Sequence, residues 1–562
     1  MLRVPEFSPI QRVGTLLGGL LFTAGIAAAQ SVTIYDFPGY TAGELYGESL
    51  TSTPDLDGDG WDDLLIASPK GAGGKGYVKA ISGHSGVELY TLQGAVAGDS
   101  FGQALGGLSD LDGDGRAEII VGSPLASGVA PGSGMAQVFS GATGTAMWTL
   151  SGDSAQDHFG WAVTGLADVD GDGSADFAVA AIDDDGAGNS SGSVRLFSGA
   201  TGAKLFDIAG NAPTQLFGFA LVALDDWNGD LVPDLAIGAP YIASSVQAGF
   251  VRIHSGKDGQ IIRQIDGQSA ADRFGASLTN IGDVEGDGVD DLAVGAPQPT
   301  GGKRGYVEVH LAAGGFPLLS MSGDSPNDYF GSAVAAAGDA DDDGFVDIAV
   351  GAPGDDDRGQ ESGSVRLLST WQQVEISTTY GETAGVKMGS ALSGLRDVNA
   401  DGKPEVVAAC MGASTNGPSA GCARVLATSP LRLSSDSHLL SLSNASGRSL
   451  TVDFTSFMAG NPYLLLGSVS GTNPGTVFGS LGVPLNRDRY YKFTRAHPNS
   501  AVLQNSAGTL DSSGKAVALF TPPVLALSPS YLGLTFQHAA LAYDSSSVAV
   551  DVSNVVPVTL VP

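Results

Sequence analysis

The chain has 562 residues and sets 27 basic against 60 acidic side chains, a formal charge of −33. The length exceeds what one hydrophobic core holds and implies at least two domains; the charge excludes nucleic acid and anionic membranes as partners, since both need a positive surface. With 43% hydrophobic residues and 82 glycines, it is no disordered polyanion but a chain of many short strands and tight turns.

Residues 1–29 have the pattern of a secretory signal peptide. Arg3 and Arg12 come first, and the apolar run VGTLLGGLLFTAGIAAA ends in small residues, with cleavage after Ala29. The alternative is a single membrane anchor, for which the run is short. No later segment has a spanning pattern, so the protein is expected to be secreted or at the cell surface, with no membrane insertion once the signal is removed. Next comes SVTIYDFPG at 31–39, a strand with no partner nearby in sequence.

From there to residue 429 a unit recurs seven times. Its acidic core begins at Asp55, Asp110, Asp168, Asp226, Asp283, Asp339 and Asp397, at spacings of 55, 58, 58, 57, 56 and 58 residues. Internal repetition at this length means a solenoid or a propeller. Upstream of each core lies an aromatic–glycine pair, from Tyr46-Gly47 and Phe101-Gly102 to Phe330-Gly331, with Met388-Gly389 in the seventh unit. Downstream comes a short apolar strand ending in Gly-Ala-Pro or a close variant, then a variable Gly-rich loop and two more alternating strands. Four strands in each of seven units predict a seven-bladed β-propeller of four-stranded blades, whose closure removes most sheet edges. The seventh unit lacks a fourth strand, and segment 31–39 is expected to supply it and lock the ring.

The acidic cores place oxygen-bearing side chains at positions 1, 3, 5 and 9 of a tight loop. These are Asp55, Asp57, Asp59 and Asp63; Asp110, Asp112, Asp114 and Glu118; Asp168, Asp170, Asp172 and Asp176; Asp226, Asn228, Asp230 and Asp234; Asp283, Glu285, Asp287 and Asp291; Asp339, Asp341, Asp343 and Asp347; and Asp397, Asn399, Asp401 and Glu405. Carboxylates this close repel unless a cation lies between them. An all-oxygen, flexible cage selects a hard ion and favours Ca²⁺ over Mg²⁺, so up to seven Ca²⁺ are expected. Position 7 would add its backbone carbonyl: Trp61, Arg116, Ser174, Val232, Val289, Phe345 and Lys403. An EF-hand is excluded, because position 12 is apolar in every copy, for example Ile66 and Val121. The competing reading is that Asp and Gly are simply good turn residues; seven copies at one spacing weigh against it. The fourth loop, with Leu231 at the glycine position, is expected to be the weakest site.

The order Phe-Gly, acidic loop, Gly-Ala-Pro resembles the FG-GAP repeat of the integrin α-subunit N-terminal propeller. The resemblance implies a seven-bladed propeller with Ca²⁺ in hairpin loops on one face, and a role in adhesion or ligand binding. All seven units here carry a loop, more than integrins usually do, and the chain shows no integrin-type leg domains.

Cys410 and Cys422 flank a loop between two strands of the seventh unit, where a cross-hairpin bridge and a pair of buried thiols are both open. Beyond Pro430, residues 431–562 form strands rich in Ser, Leu and Val, expected to be a separate β-sandwich-like domain. It is similar to C-terminal β modules found on exported bacterial proteins.

No histidine pair has zinc spacing. Gly-Asn-Ser-Ser-Gly at 188–192 has the letters of a nucleophile elbow but lies between two strands. His254 and His310 occupy equivalent places in neighbouring units, which points to packing. The expected function is therefore that of an exported calcium-binding propeller, monomeric and non-catalytic, acting in adhesion or ligand binding with a protein or glycan as ligand. The alternatives are a carbohydrate-active or other extracellular enzyme with its site over the channel, or a structural envelope protein.

Overall fold

A computed structural model describes residues 33–241, 247–298, 302–341, 343–399 and 402–428, followed by shorter segments between 433 and 561. The expected signal segment 1–29 and Asp401 lie outside the described residues. Seven four-stranded antiparallel sheets follow one another along the chain. The first blade comprises Ser49–Thr53, Asp63–Ser68, Tyr77–Ile81 and Glu88–Gln93, running from the channel outwards. The innermost strands pack side by side in sequence order, and that of the seventh blade, Met388–Leu395, packs against that of the first, so the ring is closed. Thr33–Pro38 lies antiparallel to Cys422–Ala427 as the outermost strand of the seventh blade. Ile34 and Tyr35 are buried there, and the Tyr35 hydroxyl donates to the carbonyl of His84 in the first blade. This strand, drawn from the other end of the chain, ties the seventh blade shut.

Position within a blade explains each strand's composition. The second strand of each blade is covered on both faces by neighbouring blades, so DLLIAS, EIIVGS and DLAIGA are buried at every residue and read as continuous runs rather than as alternation. The fourth strand is half solvated, and Glu88–Gln93 accordingly mixes exposed and covered residues. Innermost strands approach closely at the narrow channel. A Cβ on Gly107 would come within 2.7 Å of Thr53 Oγ1, and one on Gly165 within 2.8 Å of the Gly107 carbonyl.

The aromatic–glycine and Gly-Ala-Pro motifs are the two halves of the joint between blades. The aromatic or Met388 side chain is buried in every blade. The glycine after it has positive φ, from 84° at Gly275 and Gly389 to 98° at Gly218, a conformation costly for any other residue. Its carbonyl abuts the Gly-Ala-Pro glycine of the preceding blade: a Cβ on Gly122, Gly238, Gly295 or Gly351 would sit 2.0–2.2 Å from the oxygen of Gly160, Gly275, Gly331 or Gly389. In three blades an arginine of the third strand covers the aromatic ring, Arg195 over Phe159 at 5.2 Å, Arg252 over Phe217 at 5.9 Å and Arg366 over Phe330 at 5.7 Å.

Beyond residue 428, the described strands form a four-stranded and a larger, six-stranded sheet and a short hairpin. Arg448–Asp453, Pro462–Ser468, Lys515–Phe520 and Thr535–Tyr543 coincide with segments whose sequence reads as strands. Among the described residues, helix is confined to one turn at Gly71–Gly74 and to Arg489–Ala496.

Candidate metal centres

Each acidic loop joins the first and second strands of its blade, and its shape is set by its own carboxylates. The position 1 aspartate accepts the N–H of position 6 in all seven loops, at 2.6–3.1 Å. The position 5 side chain accepts the N–H of position 7, as from Trp61 to Asp59 and from Arg116 to Asp114, both at 2.9 Å. These are successive Asx-turns, which a short carboxylate makes locally without help from the rest of the fold.

Position 9 does something else. It is the first residue of the buried second strand in most blades, and one of its oxygens accepts the N–H of position 2. That bond is 2.7–2.9 Å in six loops, and in the second loop it runs from Leu111 to Glu118. Its other oxygen accepts an N–H just beyond the third strand: Gly83 to Asp63 at 3.0 Å, Gly199 to Asp176 at 2.9 Å, Ala312 to Asp291 at 3.0 Å. The carboxylate thus clamps the loop to the blade, from a solvent-free position. Burial pushes Asp63, Glu118 and Asp347 up to about 7 and Asp234 and Asp291 up to about 6, with the other loop carboxylates adding to the rise. Ion-free, these groups sit where their charge is disfavoured.

Among the described residues, three or more carboxylates offer oxygens within 4.8 Å of one another in four loops: Asp110, Asp112, Asp114 and Glu118; Asp55, Asp57 and Asp63; Asp168, Asp170 and Asp176; and Asp339, Asp341 and Asp347. Glu118 is fully buried, yet its Oε1 has no hydrogen-bond partner, and the same is true of Oδ1 of buried Asn399 in the seventh loop. A buried oxygen without a donor is costly. Hard oxygen donors, their convergence and these two orphaned atoms fit a metal ion. The fourth loop keeps the same bonds, but Leu231 holds φ at 67° and is 91% exposed, a strained stand-in for glycine.

Several partners are not deducible from the repeat. Gln372 donates to Asp341 at 3.0 Å and Asp343 at 3.3 Å, and Trp371 stacks on Phe345 at 4.4 Å, so a hairpin of the sixth blade folds over its own loop. Trp61 stacks on His84 at 4.8 Å. Arg116, expected to matter only for its carbonyl, sends its guanidinium to within 3.6 Å of Asp55 in the previous loop.

The other singled-out residues are structural. His254 and His310 are buried edge-on to Phe217 and Phe274. Ser190 and its neighbours at 188–192 lie in a turn, not on a strand–helix elbow. Cys410 and Cys422 are buried, free thiols; a hydrogen bond between them, and then burial, push the Cys422 thiol well up. No helix among the described residues is long and apolar enough to cross a membrane.

The FG-GAP repeat family matches residues 46–80, 101–139, 274–309 and 330–368, in the first, second, fifth and sixth blades. Integrin alpha-V of Gallus gallus is 33% identical over 209 residues, 34% of this chain and 20% of the relative. Integrin alpha-PS2 of Drosophila melanogaster is 30% identical over 246 residues, covering 39% and 17%, and integrin alpha-5 of Xenopus laevis 30% over 215 residues, covering 35% and 20%. The chain thus spans about a fifth of the length of these curated relatives. The FG-GAP repeats matched in four blades, the integrin α relatives and the seven closed blades together support an integrin-α-like β-propeller.

Proposed function

We propose that this is an exported, non-catalytic, calcium-stabilised propeller that binds a protein or glycan outside the cell or at its surface. In this reading residues 30–429 form the binding scaffold and 431–562 a separate β domain. The observation that carries it is the sevenfold loop: its position 9 carboxylate is buried in every copy, three or more carboxylates converge in four copies, and in two a buried oxygen has no hydrogen-bond partner. Up to seven Ca²⁺ would be held by the side chains at positions 1, 3, 5 and 9 and the carbonyl at position 7. Bound there, the ion supplies the positive charge that lets the carboxylates stay ionised in the fold. The chain's own part is to position the donors: Asx-turns set positions 1, 3 and 5, and the backbone clamp sets position 9. On the opposite end of each blade, the loops after the Gly-Ala-Pro turns differ most, and variable loops on a rigid scaffold commonly carry binding.

The test is a calcium titration of the purified chain together with a glycan and surface-protein binding screen, each with and without chelator. Bound calcium, a melting temperature that falls in chelator, and calcium-dependent capture of one ligand are expected. Unchanged melting in chelator would sink the calcium reading, and turnover of a polysaccharide would replace binding by catalysis.

A further inference from the structure

The position 7 residues are Trp61, Arg116, Ser174, Val232, Val289, Phe345 and Lys403, and only two of them are cationic. In two blades the position 7 side chain crosses the blade boundary to the acidic loop of the preceding blade. Val232, on the fourth loop, lines a cleft with Val169, Asp170 and Gly171 of the third loop, and Lys257 of its own blade lines the same cleft. Arg116, on the second loop, brings Nη1 to 3.6 Å from Asp55 Oδ1. Its guanidinium lies flat against the first loop, since a Cβ on Gly58 would be 2.3 Å from Cζ, Nη1 and Nη2. That Nη1 is buried and has no hydrogen-bond partner, so it is held there by charge and packing rather than by a donor–acceptor match. Lys403, on the seventh loop, repeats the arrangement at the sixth: Nζ donates to the Asp339 carbonyl and lies 3.9 Å from Asp339 Oδ1. Asp55 and Asp339 are each position 1 of their loop. The third loop has neutral Val232 and, lining the same cleft, Lys257; among the described residues no ion pair reaches Asp110, Asp112 or Asp114 of the second loop.

We propose that Arg116 and Lys403 are built-in counter-cations that partly neutralise the first and sixth loops from the neighbouring blade. Those two loops then bind a divalent ion more weakly than the second, and they hold their shape when the ion is scarce. This rests on the calcium reading above and adds to it which sites are graded and by which side chains. The physical basis is simple. A guanidinium beside the loop attracts its carboxylates but repels a doubly charged ion placed among them, and salt weakens both effects.

The test uses the full chain as wild type, Arg116→Gln, Lys403→Gln and, as a control, Ser174→Gln, which puts an amide at position 7 of the third loop, where no charge is removed. Calcium binding is followed by calorimetry against a chelator of known affinity, and melting is followed in EDTA and in excess calcium. For Arg116→Gln one site should tighten about five-fold, the effect of removing one unit charge at a solvent-screened distance of several ångströms. Its melting temperature should fall in EDTA while the gain on adding calcium widens. Lys403→Gln should do the same for another site, and Ser174→Gln should do neither. An Arg116→Gln isotherm that overlays the wild type while calcium still binds overturns this inference alone, as does an equal loss of melting temperature with and without calcium, the mark of a purely packing role. No calcium bound by any of the proteins overturns both this inference and the calcium reading beneath it.

Discussion

Replacing Gly351 by Ala tests whether the two repeat motifs are a joint between blades. Gly351 needs no special backbone conformation, since its φ lies outside the left-handed region, so a methyl group there meets only its neighbours. The methyl carbon would fall 2.0 Å from the Gly389 carbonyl oxygen and 2.9 Å from its carbon, both backbone atoms of the seventh blade. Relief requires the sixth and seventh blades to part by about 1 Å, and overpacking of that kind costs about 1–3 kcal/mol. The closed ring resists a local opening, which places the expected loss near the upper end, about 3 kcal/mol. Gly60→Ala is the natural comparison: nothing lies within 4 Å of its Cβ, and only its φ of 87° is unfavourable, for a loss of about 1 kcal/mol. Urea unfolding of both variants in excess calcium, followed by tryptophan fluorescence, gives the two values. Gly351→Ala unfolding at the wild-type midpoint, or losing no more than Gly60→Ala, would refute the idea that this glycine exists to admit the next blade.

Truncating the closing strand should act at the other end of the chain: Tyr35→Ala removes a buried ring and its bond to the His84 carbonyl, and a loss of about 3–5 kcal/mol in thermal or urea unfolding is expected. Deleting residues 30–38 bares the edge of Cys422–Ala427, so self-association should rise in light scattering. Asp328 is buried and pushed up to about 7 by burial, by its hydrogen bond to Asp324 and by the charge of Asp355. A carboxyl whose folded pKa is raised gives up stability as pH climbs from its unfolded value near 4 to about 7. Asp328→Asn should flatten that decline and melt higher than wild type at pH 8; a variant with the wild-type pH slope would contradict the assignment. Both cysteines should be silent to a thiol reagent in the native protein and count as two after unfolding without reductant; a count of zero would show a bridge.

Much of the metal-binding loop is legible in the sequence because its shape is local. Asp110 accepts N–H groups from Gly113 and Gly115, three and five residues on, and such bonds depend on little beyond the intervening turn. The role of position 9 is not legible. Asp63 looks like one more ligand, yet both its oxygens are engaged by backbone N–H groups, one of them at Gly83, twenty residues downstream. Glu118, one methylene longer, leaves an oxygen without a partner, a difference that appears only once the strand is buried.

By itself, the sequence determined the seven units, their strands and turns, the acidic loops and the spare strand for the last blade, because period, alternation and turn chemistry act over a few residues at a time. Only the tertiary structure decided what passes between blades. The carbonyl of Gly389 against Gly351 and the reach of Arg116 to Asp55 depend on how closely neighbouring sheets pack and in what register. Those distances are fixed by closing seven blades into one ring, a condition that no single repeat contains.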